Sequence, residues 1–549
     1  MVPTSSTLPF RYDALIRDFA WDIPARFNIG VAVSDAWAAR EPERVCLQHF
    51  HADGQHEALT YGAFAARSSA LGAGLVARGV RPGDRVAILL PQGFEAAIAH
   101  AAIYKLGGIA LPLALLFGVE ALEYRLRDAG ACAVITDRSG VARLSALQAG
   151  LPDLHLIVCT DGGEGVADMD TTVGFDRLLA TDASGFAAAD TGPDDPALMI
   201  YTSGTTGPPK GALHGHRVLL GHLPGFQFHH AGLPQAGDRM WTPADWAWAG
   251  GLLNALLPSL LLGVPVVSSP AQKFDPHMAF RILSEMKVRN AFIPPTALRL
   301  MKAVEDPKAQ YAFDLRTVGA AGEALGRETF KQASRALGVV IAEFYGQTEC
   351  NIVISSSAAY GVLKAGSMGK AAPGHVVEII DRDGKVLPRG QVGQVAVRRP
   401  DPVMFLGYWG NPAATEAKFI GEWMTTGDQA VMDADGYISF FGRDDDVITS
   451  SGFRIGPSEV EDCLAGHPAV RMAAVIGKPD PVRTEIVKAY VVLAEGYTAS
   501  DALAASLSDW VKTRLSMHEY PREVAFIDAL PLTTSGKIVR RLLRDAEVR

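Results

Sequence analysis

Short apolar runs that alternate with helical patterns govern what this chain can fold into. RVAILLP (85–91) reads as a strand, and FEAAIAHAAIYKLG behind it reads as a helix. CAVITD (132–137), HLIVCT (155–160), ALMIY (197–201), VPVVS (264–268) and NAFIPP (290–295) continue the alternation. Strands spaced by helices of roughly 10–15 residues build βαβ units and parallel sheets. From about Gly366 the texture changes to VVEIIDRDGKVLP, GQVAVR and DGYISFFGR, short strands with Asp-Gly turns of the antiparallel kind. After Arg443 a smaller α+β portion is expected, with a helix at 458–466, strands at 472–476 and 487–493, and a helix near 501–515. A chain of 549 residues exceeds one core. The fold class is therefore α/β. Residues 1–443 are expected to form a large N-terminal domain of parallel sheets plus a β-barrel-like portion. Residues 444–549 are expected to form a small mobile α+β domain, parted from the first at the charged turn GRDDDVI (442–448).

The net charge of −9 and the absence of a Lys/Arg cluster argue against a nucleic-acid partner. Five scattered cysteines without C-x-x-C spacing read as reduced thiols rather than a disulfide framework or zinc site, which suits the cytoplasm. The N-terminus carries no apolar secretory run. The most apolar stretch, Gly251 to Val267, is interrupted by Asn254, Pro258 and Pro265 and falls short of the ~20 residues a bilayer needs. It reads as a core helix followed by a strand, so no membrane span is expected. Oligomeric state, monomer or homo-oligomer, is left open.

Polar stretches sit at the ends of the apolar ones. YTSGTTGPPKG (201–211) spends seven of eleven residues on Ser, Thr and Gly and then places Lys210. Small hydroxyls and glycines leave backbone N–H groups bare, which builds a cradle for phosphate oxygens. The spacing is not that of a Walker loop, because Pro209 precedes Lys210 and Gly211 follows it. A bare linker is the alternative, but the strand ALMIYTS leads straight into the loop. YGQTE (345–349) follows the apolar VVIAEF and so sits at a strand's C-terminal end, where open α/β sheets bind ligands. TTGD (425–428) offers a carboxylate after a tight turn, and LTTSGK (532–537) a lysine on a small-residue loop. Each of these alone is as easily a solvated loop. His214, His216, His229 and His230 lack carboxylate or cysteine partners at ligand spacing and read as packing or solvent-facing groups.

Taken in order, YTSGTTGPPKG, WTPADWAWAGG, AAGEAL, YGQTE, TTGD, GRDDDVITSSGFRIGPSEVE and LPLTTSGKIVRR resemble the adenylate-forming superfamily of acyl-CoA synthetases, luciferases and peptide-synthetase adenylation domains. The GFRIGPSEVE and YGQTE forms are most similar to medium-chain acyl-CoA synthetases. The resemblance covers nearly the whole chain. It implies that Thr202, Ser203, Gly204, Thr205, Thr206 and Lys210 close over the phosphates of ATP. Thr348 would bind the α-phosphate and Glu349 a Mg²⁺ ion. Tyr345 would stack on adenine, with Gly322, Glu323 and Ala324 opposite, Glu343 near the exocyclic amine, and Gly346 and Gln347 in the same wall. Asp428 and Arg443 would hold the ribose, and Arg454 would move with a nearby loop. Lys537 would bridge the acyl carboxylate and the α-phosphate, then withdraw as the C-terminal domain turns about a hinge at Asp445. Gly452 would line the channel for coenzyme A.

The implied activity is an ATP-dependent acid:CoA ligase working through an acyl-adenylate, with ATP, Mg²⁺, coenzyme A and a carboxylic acid as its small-molecule partners. The alternative is a stand-alone adenylating enzyme that loads a carrier protein in trans. The chain ends twelve residues after Lys537, which leaves no room for a fused carrier. Trp248, Ala249, Gly250, Ala321 and Gly346 are matched to the acyl pocket. Acetate-using relatives have tryptophan at the position of Gly346, so small residues here imply medium-chain, branched or arylalkanoic acids.

Overall fold

The apolar runs form two parallel-centred sheets in a computed structural model, which describes residues 11–162, 171–202, 208–269, 274–450, 453–516, 518–533 and 537–548. In the first sheet Arg85–Leu89 lies between Ile109–Pro112 and Ala133–Thr136, all parallel. Leu156–Cys159 and Thr172–Gly174 extend one side, and Pro196–Thr202 joins the other. Lys210–Gly215 then returns antiparallel against Pro196–Thr202. The second sheet orders Ile341–Gln347, Thr317–Ala320, Asn290–Phe292, Met240–Trp241, Val266–Ser268 and Val45–Phe50 in parallel, with antiparallel strands at both edges.

These strands are apolar throughout because both faces are covered. Val86 to Leu89, Ala133 to Thr136 and Leu156 to Cys159 are all buried. The helix Phe94–Lys105 shows the same logic, since every residue from Ala96 to Lys105 is buried and no polar face is needed. Its one buried charge, the Lys105 ammonium, is held by Asp35 at 2.8 Å, Ser68 Oγ at 2.8 Å and the Ala65 carbonyl at 3.1 Å. The expected core helix beginning at Gly251 runs through Ala249–Gly251, Leu252–Leu256 and Leu257–Leu261, with the middle segment wound as a π-helix. No described helix is long and apolar enough to cross a membrane.

The Asp-Gly-punctuated region forms a third, antiparallel sheet of Val377–Ile380, Val392–Arg398, Trp423–Met432, Phe419–Ile420 and Ile438–Arg443. The C-terminal portion builds its own sheet around Thr484–Leu493, flanked by helices Pro457–Ala465 and Asp501–Arg514. Its longest strand runs Val470–Asp480, well beyond the expected 472–476. The hairpin of Val45–Phe50 and His56–Thr60 was not legible, because its sequence is rich in His, Gln and Glu and its second strand is mostly exposed.

One contact sets how the C-terminal portion sits. The helix Arg327–Leu337 has Gly326 at its N-cap and no side-chain cap of its own. The Asp462 carboxylate, from Pro457–Ala465, accepts from the N–H groups of Arg327 at 2.9 Å and Glu328 at 3.4 Å. A carboxylate at a helix N-terminus meets both bare donors and the positive end of the dipole. The same C-terminal portion carries Lys537, which lies opposite Gly322.

Candidate active site

A cleft of about 1650 Å³ opens between these parts. Its walls include Thr202, Lys210, Gly322 to Ala324, Glu343 to Glu349, Asp428, Arg443, Asp445 and Lys537, so most of the expected polar residues meet in one place. Ser203, Gly204, Thr205, Thr206 and Gly452 lie outside the described residues. Arg454 sits in the strand Phe453–Ile455, opposite Thr449.

The cleft's polar wall is held by a carboxylate shared among three partners. Asp428 faces Arg443 across an antiparallel pair, with Oδ1 3.4 Å from the Arg443 guanidinium. Its Oδ2 accepts from the Tyr345 hydroxyl at 2.6 Å and from Gln347 Nε2 at 2.7 Å. Gln347 Nε2 also donates to the Thr426 carbonyl at 2.8 Å. The strand Ile341–Gln347 and the inner strand that carries Asp428 are thereby locked together at the cleft wall. Glu343 is buried behind this wall and accepts from the Leu325 N–H at 3.0 Å. Burial pushes its carboxyl up to about 7.

Glu349 accepts from the Tyr408 hydroxyl in a short hydrogen bond. Tyr408 in turn lies under Lys210, whose ammonium is 5.3 Å from the ring centre. Tyr408 stands in LGYWG, where the sequence offered no motif to mark it. Glu323 is occupied as well: Thr296 donates to it through N–H, at 2.8 Å, and through its hydroxyl, and Arg299 Nη2 does so at 2.6 Å. Its carboxylate braces the loop, leaving the backbone of Gly322 to Ala324 to face the cleft. Gly322 has φ +103°, a conformation that favours glycine.

Lys537 stands across from that glycine, its Cε 4.0 Å from where a Gly322 Cβ would be. The lysine loop is clasped by two bonds, Thr533 N–H to the Lys537 carbonyl at 2.7 Å and Lys537 N–H to Thr533 Oγ1 at 2.9 Å. Its side chain keeps water-accessible surface because the cleft is open. Desolvation within the cleft still draws the ammonium pKa below the ordinary lysine value, and Asp428, Glu323 and Glu349 oppose that shift. Asp445 lies beside Arg443, Oδ1 to Nε 3.5 Å, in the turn that follows Ile438–Arg443.

On the apolar side the cleft is lined by Trp248, Ala249, Gly250, Ala321, Phe292 and Phe344. Trp248 packs edge-on against Phe117, ring centres 5.6 Å apart. Gly346 needs a different account from the one its position suggested. A Cβ there would stand 2.3 Å from Ile352 N and 2.8 Å from the Cys350 carbonyl oxygen. The glycine permits the close return of the strand Cys350–Ser355, and the space a tryptophan would take is occupied by backbone. Of the other small residues, Gly250 offers a more tolerant probe, since a Cβ there would meet only the Phe292 ring, at 3.1 and 3.4 Å.

Two family profiles match the sequence, AMP-binding enzyme over residues 34–409 and AMP-binding enzyme C-terminal domain over 459–537. The chain belongs to the AMP-binding enzyme family. Among relatives of this AMP-binding enzyme, human mitochondrial acyl-coenzyme A synthetase ACSM2B is 34% identical over 539 residues, covering 96% of this chain and 92% of that one. The uncharacterized acyl-CoA ligase YtcI of Bacillus subtilis is 34% identical over 507 residues, 90% of this chain and 91% of the relative. Among solved structures, the anthranilate CoA ligase AuaEII in complex with anthranoyl-AMP superposes with a TM-score of 0.87 at 29% identity, over 96% and 98% of the two chains. This AMP-binding enzyme is thus an adenylate-forming protein of the acyl-CoA synthetase type.

Glu349 also fits a Mg²⁺ ion carried on a nucleotide. Mg²⁺ carried on a nucleotide takes one or two carboxylates and completes its octahedron with phosphate oxygens and water. Glu349 is a buried hard-oxygen donor at the cleft wall, oriented by Tyr408. The histidines past the phosphate loop, His214 and His216, and the pair His229 and His230 are all buried, and burial holds each below the ordinary imidazole pKa. His229 stacks on Phe344 with ring centres 4.4 Å apart, a packing role.

Proposed function

We propose that this protein is an ATP-dependent acid:CoA ligase whose acyl substrate is a medium-chain, branched or arylalkanoic acid. The observation that carries this reading is the position of Lys537, on a segment from beyond Arg443, opposite Gly322 and among Asp428, Glu323 and Glu349. In this reading the lysine supplies a point charge for the carboxylate and the α-phosphate, on a flexible stem that lets it withdraw afterwards. The acid's oxygen attacks the α-phosphorus and the bond to pyrophosphate breaks. The sulfur of coenzyme A then attacks the acyl carbon, and the C–O bond to AMP breaks. The protein's task is alignment and stabilisation of charge on the phosphate oxygens.

In this reading Thr348 and Lys537 serve the α-phosphate, Lys210 the outer phosphates, and Tyr345 with the Gly322 to Ala324 backbone the adenine. Asp428 and Arg443 hold the ribose, their carboxylate and guanidinium already aligned by Tyr345 and Gln347. Glu349 would hold Mg²⁺, which neutralises phosphate charge. The two working units divide at 443/444, with Asp445 as the pivot.

Incubation with ATP, Mg²⁺ and a panel of acids, with and without coenzyme A, tests the reading. Pyrophosphate release together with a CoA thioester supports it. Pyrophosphate release with no thioester points instead to a carrier protein as acceptor. Each buried methylene contributes ~0.8 kcal/mol, roughly fourfold in kcat/KM, so acids of six to ten carbons or arylalkanoic acids are expected to exceed acetate by well over tenfold. Gly250→Phe, which fills space beside Phe292, is expected to lower kcat/KM for the larger acids by about tenfold or more. Propionate use should change little. An unchanged profile, or a wild-type preference for acetate, removes the chain-length part of this account.

A further inference from the structure

The apolar side of the cleft is not apolar throughout. Asn254 and Asn351 both line it, and they are only 3% and 6% exposed. Asn254 stands one helical turn after Gly250, and Asn351 borders the point where a Gly346 Cβ would touch backbone, so both belong to the acyl wall. Asn351 Nδ2 donates to Asn254 Oδ1 at 3.3 Å and to His222 Nδ1 at 3.0 Å. These bonds use up one end of each amide. His222 also hydrogen-bonds the Asn254 amide, and beyond these bonds Asn254 Nδ2 and Asn351 Oδ1 make none among the described residues.

The local backbone is irregular on both sides of the pair. Asn254 lies within the π-helical segment Leu252–Leu256, a winding that re-aims side chains and recurs at functional sites. Directly after Asn351 comes Ile352 at φ +44°, in the left-handed region that a β-branched residue rarely enters. Strain of this kind costs of order 1–3 kcal/mol and concentrates at ligand sites. His222 is fully buried against the same amide, and burial keeps its imidazole neutral. A neutral ring that accepts at Nδ1 fixes which way the Asn351 amide turns.

We propose that Asn254 and Asn351 form a polar reader in the acyl site, so that the preferred acid carries a hydroxyl group on its chain or ring, distant from the carboxylate. A hydroxyl both donates and accepts. It matches one free amide N–H donor beside one free amide oxygen. A plain alkyl or phenyl end would cover both groups without pairing them, a loss of roughly five- to a hundredfold in kcat/KM. Sites built to bond a hydroxyl discriminate strongly against analogues that lack it. This inference rests on the ligase reading above and narrows its substrate class.

The test compares matched pairs in thioester formation: phenylpropanoate with its ring-hydroxylated forms, and octanoate with its hydroxyoctanoates. At least one hydroxylated acid is expected to exceed its parent by tenfold or more in kcat/KM. Asn254→Leu, with Asn351→Leu as a second variant, is expected to abolish that advantage and to raise kcat/KM for the plain acid. Pyrophosphate release in the presence of the plain acid reports separately that adenylation works. Plain acids equal to or better than every hydroxylated partner in the wild-type protein would overturn the reader, whether or not the variants fold. Absence of pyrophosphate release with any acid would instead overturn the ligase reading.

Discussion

Lys537→Ala is expected to lower the rate of acyl-adenylate formation by about 10²–10³, equivalent to ~2.7–4 kcal/mol of transition-state stabilisation. The lysine supplies a positive charge opposite Gly322, its Cε 4.0 Å from where a Gly322 Cβ would be. Arg443 is tied to Asp428, and Lys210 lies over the Tyr408 ring. Thioester formation from supplied acyl-AMP is expected to survive the substitution, because on the proposed reading the lysine withdraws before that step. Rapid-quench measurement of the two half-reactions separates them. Equal loss in both would contradict the division of labour between two positions of the C-terminal portion.

Asp445→Pro has the opposite signature. Proline fixes φ near −65° and pushes the preceding residue toward extended backbone, which would hamper the proposed rotation about this turn. The Asp445 N–H makes no backbone hydrogen bond to described residues, so the substitution removes no such bond from the arrangement seen here. Flanking bonds hold that arrangement: Asp444 N–H to the Gly427 carbonyl at 3.0 Å, and Val447 N–H to the Arg443 carbonyl at 3.1 Å. Adenylation is expected to stay within a few-fold of wild type while thioester formation falls about 100-fold or more. Wild-type overall turnover in this variant would refute rotation about Asp445.

The sequence conveyed the parallel sheets well because their strands are buried on both faces and therefore read as continuous apolar runs, as in RVAILLP and HLIVCT. Edge elements were harder. The hairpin at Val45–Phe50 and His56–Thr60 carries polar residues toward solvent and has no clean alternation. Motif residues such as Tyr345, Glu349 and Asp428 were legible through the family resemblance. What fixes their orientation was not. Tyr408 on Glu349, and Thr296 with Arg299 on Glu323, come from isolated positions far along the chain that only folding brings near. Gly346 shows the converse error. A glycine read as open space in an acyl pocket is explained by backbone approaching to 2.3 Å of its absent Cβ, which no linear motif reveals.

The order of bonds broken gives the most direct test of the central claim. With both carboxylate oxygens of the acid labelled with ¹⁸O, attack on the α-phosphorus places one labelled oxygen between acyl carbon and phosphorus. Thiolysis then cleaves on the carbon side and leaves that oxygen on AMP. One ¹⁸O in AMP for each CoA thioester formed, with unlabelled pyrophosphate, is the expected result. Label in inorganic phosphate with ADP as the nucleotide product, or thioester formed without label in AMP, would contradict an acyl-adenylate in this cleft.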